Sequence, residues 1–208
     1  MHSFTAHPTR EPLPWPDAQP QGRRRQAGEW TLTDEQVASF DALLHEVCPQ
    51  APRVQADQVA QLARWLLSLP PDEAQAVLAE RLVRMDDLRA LLDDPDWDRD
   101  SPGACRLRGL LAYFEHDGLI PNHIPVLGRL DDVLLLELAW PGIASEVDDY
   151  LDFREYRTSA QPDGDGPARR SAWTRERLSE LAWLQQRHRV GDSHYAPVEP
   201  TSEGFRIR

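Results

Sequence analysis

The chain has 208 residues, enough for one mid-sized domain with tails. Its hydrophobic fraction of 40% is below the ~45–50% of ordinary globular chains, and 18 prolines keep much of it out of regular structure. A formal net charge of −12 sets it against phosphate backbones, so nucleic acid is not an expected partner, and all 23 basic residues are arginine, which excludes lysine Schiff bases, a P-loop lysine and a lysine general base.

Two cysteines, Cys48 and Cys105, are too few for a disulfide framework and lack CxxC spacing. They read as small hydrophobes in a reducing compartment. The first residues have no apolar signal core. The longest uncharged run, 118–128, contains two prolines and falls short of the ~20 apolar residues a membrane span needs. The expected location is the cytoplasm, with the periphery of the inner membrane as the alternative placing.

In chain order, residues 1–32 read as a disordered, Pro-rich N-terminal arm, with Trp15 and Trp30 as the side chains placed to dock on the body. At Thr33 the pattern changes. Thr33 and Gln36 have capping-box spacing, and Leu32 and Val37 stand where a hydrophobic staple would. Val37, Phe40, Leu44 and Val47 then form one helical stripe, stopped by Pro49 and Pro52. A second helix over about 55–69 carries Val59, Leu62, Trp65 and Leu66. Pro71 suits the first position of a third, which continues or restarts at Asp86 to present Leu88, Leu91 and Leu92.

The stretch 93–103 is a strongly acidic, solvated turn. Ser101 and Pro102 open a helix with Leu107, Leu110, Leu111 and Phe114 on one face. After a proline-punctuated bend, Asp131 and Asp132 open an aliphatic helix, which Pro141 and Gly142 interrupt. A last core helix runs over about 143–157. The stretch 158–170 has linker composition, and 171–208 holds a C-terminal helix and tail. No strand-like alternation occurs. The expected fold is therefore all-α: a compact bundle of five or six helices over 33–157, with a linked C-terminal helix.

The bend pairs Ile120 with Pro121 and Ile124 with Pro125, followed by Val126, Leu127, Gly128 and the run Leu130, Asp131, Asp132. With the Asp94-Pro95 turn and the helix ending in Tyr113 and Phe114, this segment resembles the YkvA family, bacterial helical proteins of unknown function. The resemblance covers about 94–157. The family usually has acidic residues where this chain has Gly118 and Asn122. The likeness implies a helical body and, from relatives richer in apolar helices, membrane association.

Two Ile-Pro pairs four residues apart make a stiff corner, because each proline fixes its own φ and pushes its predecessor out of the helical region. Ile120, Ile124 and Leu127 are expected to face inward. Gly128 supplies a conformation closed to other residues, and the paired aspartates meet the amide-rich end of the next helix. A divalent-ion site is the competing reading of this corner, built from His116, Asp117, His123, Asp131 and Asp132, with Glu137 beyond them. It would make the chain a metal-dependent hydrolase. No HExxH or Glu-x-x-His ligand pair is present, and no other cofactor is implied.

The acidic turn alternates carboxylates like the start of a calcium loop, but the sixth and twelfth positions are Arg99 and Cys105 rather than glycine and glutamate. No GxSxG, GxGxxG or Walker pattern occurs. The C-terminal helix carries six arginines between 169 and 189 against two glutamates, together with Trp173 and Trp183. It is expected to pack on the protein's own acidic body, the alternatives being contact with nucleic acid, lipid headgroups or an acidic partner. The expected function is a non-catalytic interaction or scaffolding module with a protein partner and no small-molecule substrate.

Overall fold

The computed structural model describes residues 12–17 and 25–192, with side chains as far as Arg189. The chain is all-α, with one short hairpin at its start. In that hairpin β1 (Gln26–Ala27) runs antiparallel to β2 (Trp30–Thr31), with Gln26 opposite Thr31 and Ala27 opposite Trp30. Gly28 begins the two-residue turn at φ 64, a conformation that favours glycine. Strands this short cannot display alternation, so the sequence does not betray them.

The expectation of a disordered arm through residue 32 is corrected over 12–17 and 25–32. Leu13, Ala27 and Leu32 are buried in the core. The Trp30 indole donates to the Leu119 carbonyl at 2.9 Å, and the Gln58 amide donates to the Pro16 carbonyl at 2.9 Å. A proline-rich segment docks here because its few apolar side chains fall into gaps between helices. Residues 1–11 and 18–24 lie outside the described residues.

Six helices build the body: α1 (Asp34–Val47), α2 (Ala56–Leu67), α3 (Pro71–Leu82), α4 (Arg84–Asp93), α5 (Pro102–Phe114) and α6 (Leu130–Ala160). The expected capping box opens α1: the Gln36 amide donates to Thr33 Oγ1 and the Thr33 amide to Gln36 Oε1, both at 3.2 Å. Val37, Phe40, Leu44 and Val47 are its buried stripe. Pro71 occupies the first turn of α3, and Ser101 caps α5 by accepting from the Ala104 amide at 3.0 Å. The third helical stretch restarts at Arg84, placing Met85, Leu88 and Leu91 in the core.

α6 is the axis of the molecule and packs against α1, α3, α4, α5 and α7 (Gly166–Asp192). Pro141 and Gly142 do not interrupt it, which corrects the expectation of two helices. A mid-helix proline costs about 3 kcal/mol. Burial on both sides offsets that cost: Val133, Leu134, Leu135 and Leu136 before it, Ile143, Val147, Tyr150 and Phe153 after it. Gly142 lies where α1 ends; a Cβ there would sit 2.5 Å from the Val47 carbonyl oxygen. The pair therefore admits a close crossing rather than a stop.

The linker is shorter than 158–170. Only 161–165 separates α6 from α7, and α7 begins at Gly166 rather than at 171. Asp165 starts it, accepting from the Ala168 amide at 3.0 Å. Gln161 closes α6 in the left-handed region at φ 45. Residues 193–208, read as a tail, lie outside the described residues. No helix among the described residues is long and apolar enough to cross a membrane.

Candidate functional site

The bend between α5 and α6 is built from short turns. The Ile124 amide donates to the Pro121 carbonyl at 3.0 Å, and the Gly128 amide to the Ile124 carbonyl at 2.9 Å. Ile120 and Leu127 are buried, while Ile124 is half-buried. The left-handed residue is Val126, at φ 66, not Gly128. A β-branched residue there is strained by about 1–2 kcal/mol. Gly128 is needed for space instead: a Cβ would sit 2.3 Å from the Asn122 carbonyl oxygen.

Asp131 ties this corner together. It is 1% exposed. Its Oδ2 accepts from the Tyr113 hydroxyl at 2.9 Å, the Leu119 amide at 2.7 Å and the Ile120 amide at 3.3 Å. These amides belong to the bend. The expectation that the aspartates simply terminate α6 is therefore corrected: Asp131 fastens the bend to α5 and α6, and the N-cap position of α6, Arg129, makes no side-chain cap. Gly118 leaves room for this junction, since a Cβ there would sit 2.1 Å from Tyr113 Oη.

Burial pushes the Asp131 carboxyl above its ordinary range, opposed by the Tyr113 hydroxyl and the two amides. Burial and the neighbouring Asp131 charge push Asp132 up to about 7, with Arg129 opposing. The Arg129 guanidinium lies 3.1 Å from Asp132 Oδ2. Burial and the Asp131 charge also raise the Tyr113 phenol.

The other proposed ligands lie elsewhere. His116 is exposed, its Nδ1 2.8 Å from the Ala112 carbonyl. Asp117 is exposed and accepts from the Asn122 amide at 2.9 Å. His123 stands exposed on a shallow groove between α3 and the bend. Glu137 accepts from Arg81 Nε at 2.6 Å and from the Leu13 amide at 3.2 Å. Among the described residues no three His, Cys, Asp or Glu side chains gather as a metal cluster. Consecutive helical residues point about 100° apart, so an Asp-Asp pair does not converge by itself.

A second cluster was not legible as a site. The acidic stretch is solvated only in part: Asp93, Asp98 and Asp100 are exposed, but Asp94 and Asp96 hold arginines from two later helices. Arg157 donates to Asp94 Oδ2 at 2.7 Å, to Asp94 Oδ1 at 3.0 Å and to Asp96 Oδ2 at 2.8 Å. Arg169 donates to Asp96 Oδ2 at 2.6 Å, and Arg170 to the Asp96 carbonyl. Burial opposes the charge on Asp94, but the Arg157 hydrogen bonds and the Asp96 amide outweigh it and hold its pKa below the ordinary range. Arg169 and Arg157 lower Asp96 likewise.

Trp97 completes this clamp. Its indole donates to Glu146 at 3.0 Å. Its ring meets Tyr150, Phe153 and Trp173, with centroids 5.5, 5.5 and 5.9 Å away. Trp173 in turn donates to Asp152 at 2.8 Å, and Arg177 pairs with Asp149. The expected packing of α7 on the acidic body is thus what its first half does. The sequence signal was charge matching between 93–100 and 169–177, with tryptophan in each segment.

Beyond Glu180, which still borders α6 beside Tyr156 and Ser159, the helix leaves the body. Every side chain over 178–189 is exposed. Leu178 is 60% exposed, Leu181 49%, Trp183 59% and Leu184 45%.

Compared with known protein families, curated proteins and solved structures, the chain matches none of them.

Proposed function

We propose that the chain is a non-catalytic interaction module, a YkvA-like helical body that presents the overhanging end of α7 to a protein partner. One observation carries this reading. Leu178, Leu181, Trp183 and Leu184 are held out in water on a helix whose first half is clamped to the body. An isolated helical segment of about 12 residues is marginal in water, and clustered apolar side chains on it mark an association surface. A protein groove suits it better than a bilayer plane. Leu178 and Trp183 lie roughly 140° apart around the axis, so no single flat face collects the apolar groups.

The test is quantitative affinity purification from the native cell, comparing the wild type with the Leu178→Ser/Leu181→Ser/Leu184→Ser variant. These residues make no core contacts, so circular dichroism should be unchanged outside the arm. Loss of a defined set of proteins from the variant is expected. Identical sets of bound proteins would sink the reading, as would transfer of the variant-sensitive binding to lipid vesicles alone.

A further inference from the structure

α7 carries the same side-chain device twice. Arg177 lies over the Trp173 ring at 5.3 Å, and Arg187 lies over the Trp183 ring at 5.3 Å. Each is a Trp-x-x-x-Arg pair, one turn apart on the helix, with the guanidinium stacked on the indole. The ten-residue offset places the second pair about 15 Å along the axis and roughly 80° around it. The first pair therefore faces α6 and the second faces solvent. Trp183 is 59% exposed, and Arg187 is exposed beside it.

The first pair shows what this device recognises. The Trp173 indole N–H donates to Asp152. Its ring packs against Phe153, with centroids 5.8 Å apart. Arg177 pairs with Asp149. Asp149, Asp152 and Phe153 lie within one turn and a residue of a single helix. The complement of a stacked Trp-Arg pair is thus two carboxylates three residues apart, with an aromatic ring beside the second.

We infer that Trp183 and Arg187 form a second recognition pair, and that its partner is an acidic helix bearing an Asp/Glu-x-x-Asp/Glu-aromatic pattern. The inference rests on the interaction-module reading and names the chemistry of its partner. The indole supplies a donor and a ring face, and the guanidinium supplies a charge already pre-oriented by stacking. A hydrogen-bonded carboxylate pairing of this kind gives specificity and salt dependence.

The probe is a fluorescent, helix-stapled peptide with the sequence of residues 143–157, which contains Asp149, Asp152 and Phe153. Its binding to the full chain is followed by anisotropy at low and high salt. Binding that weakens at high salt is expected. It should weaken by roughly tenfold or more with Arg187→Glu, with Trp183→Ala, and when Asp149 and Asp152 of the peptide are replaced by asparagine. Both protein substitutions are at exposed positions, so folding is preserved.

Absence of binding overturns the inference. So does binding indifferent to Arg187→Glu and Trp183→Ala, which would place the peptide on the Trp173 surface instead. A partner that co-purifies through Leu178, Leu181 and Leu184 but is retained by Arg187→Glu would leave the interaction-module reading standing and remove this one.

Discussion

Asp131 and Asp132 are neighbours in the chain and equally shielded from water, yet they do different work. Asp131 spends one oxygen on a hydroxyl and two amides. Asp132 pairs with Arg129 and feels the Asp131 charge beside it. Both have raised folded pKa values, so the folded state binds their protons more tightly than the unfolded chain does. Their contribution to stability is complete below the ordinary carboxylate range and declines as pH rises, to about 7 for Asp132. Asp94 and Asp96 have lowered values, and their contribution disappears as pH falls through and below that range.

Urea midpoints should therefore peak in the mildly acidic range and fall on both sides. Asp132→Asn should flatten the decline toward neutral pH and stabilise the protein by about 2 kcal/mol at about pH 8. An unchanged slope in the variant would show that Asp132 is not the group responsible. Gly118→Ala drives a methyl group into Tyr113 and Asp131. It should destabilise by about 1–3 kcal/mol, measured in the same titration. None of this is legible in the sequence. The sequence shows two adjacent acids at a helix start, and only the return of the bend past Tyr113 buries them.

At the scale of elements, α1 is legible almost to the residue, because its cap and stripe are local signals that tertiary contacts reinforce. α6 is not legible as one rod, for the opposite reason. Proline is a local breaker, but the apolar surface on both sides of Pro141 keeps one rod intact across it. The end of α6 retains a correctable fault: Gln161 is an exposed side chain in a conformation that suits glycine. Gln161→Gly should raise stability by about 1 kcal/mol, seen as a higher urea midpoint with an unchanged m-value. A fall instead would mean that freedom gained by the unfolded connector outweighs the strain relieved.

Over the whole molecule, the arginines separate by position. Those at 157, 169 and 177 neutralise carboxylates of the body, while Arg187 stays with its own tryptophan. Leu178→Ser/Leu181→Ser/Leu184→Ser should leave the unfolding free energy within about 0.5 kcal/mol of the wild type, since all three side chains are exposed. Trp173→Ala should cost about 2 kcal/mol by opening the contact with Trp97 and Phe153. Equal effects of the two changes would mean that the arm is folded back on the body in solution.

The class of fold, the helix starts with their own caps, and the chemistries ruled out by the absence of lysine follow from the sequence alone, because each depends on residues within a turn or on composition. The continuity of α6, the docking of the proline-rich segment, the burial of Asp131 and the division of α7 into a clamped half and an exposed half depend on surfaces brought together from distant parts of the chain. Hydrophobic burial and carboxylate–arginine pairing act through space, and no local pattern states which partner a side chain will meet.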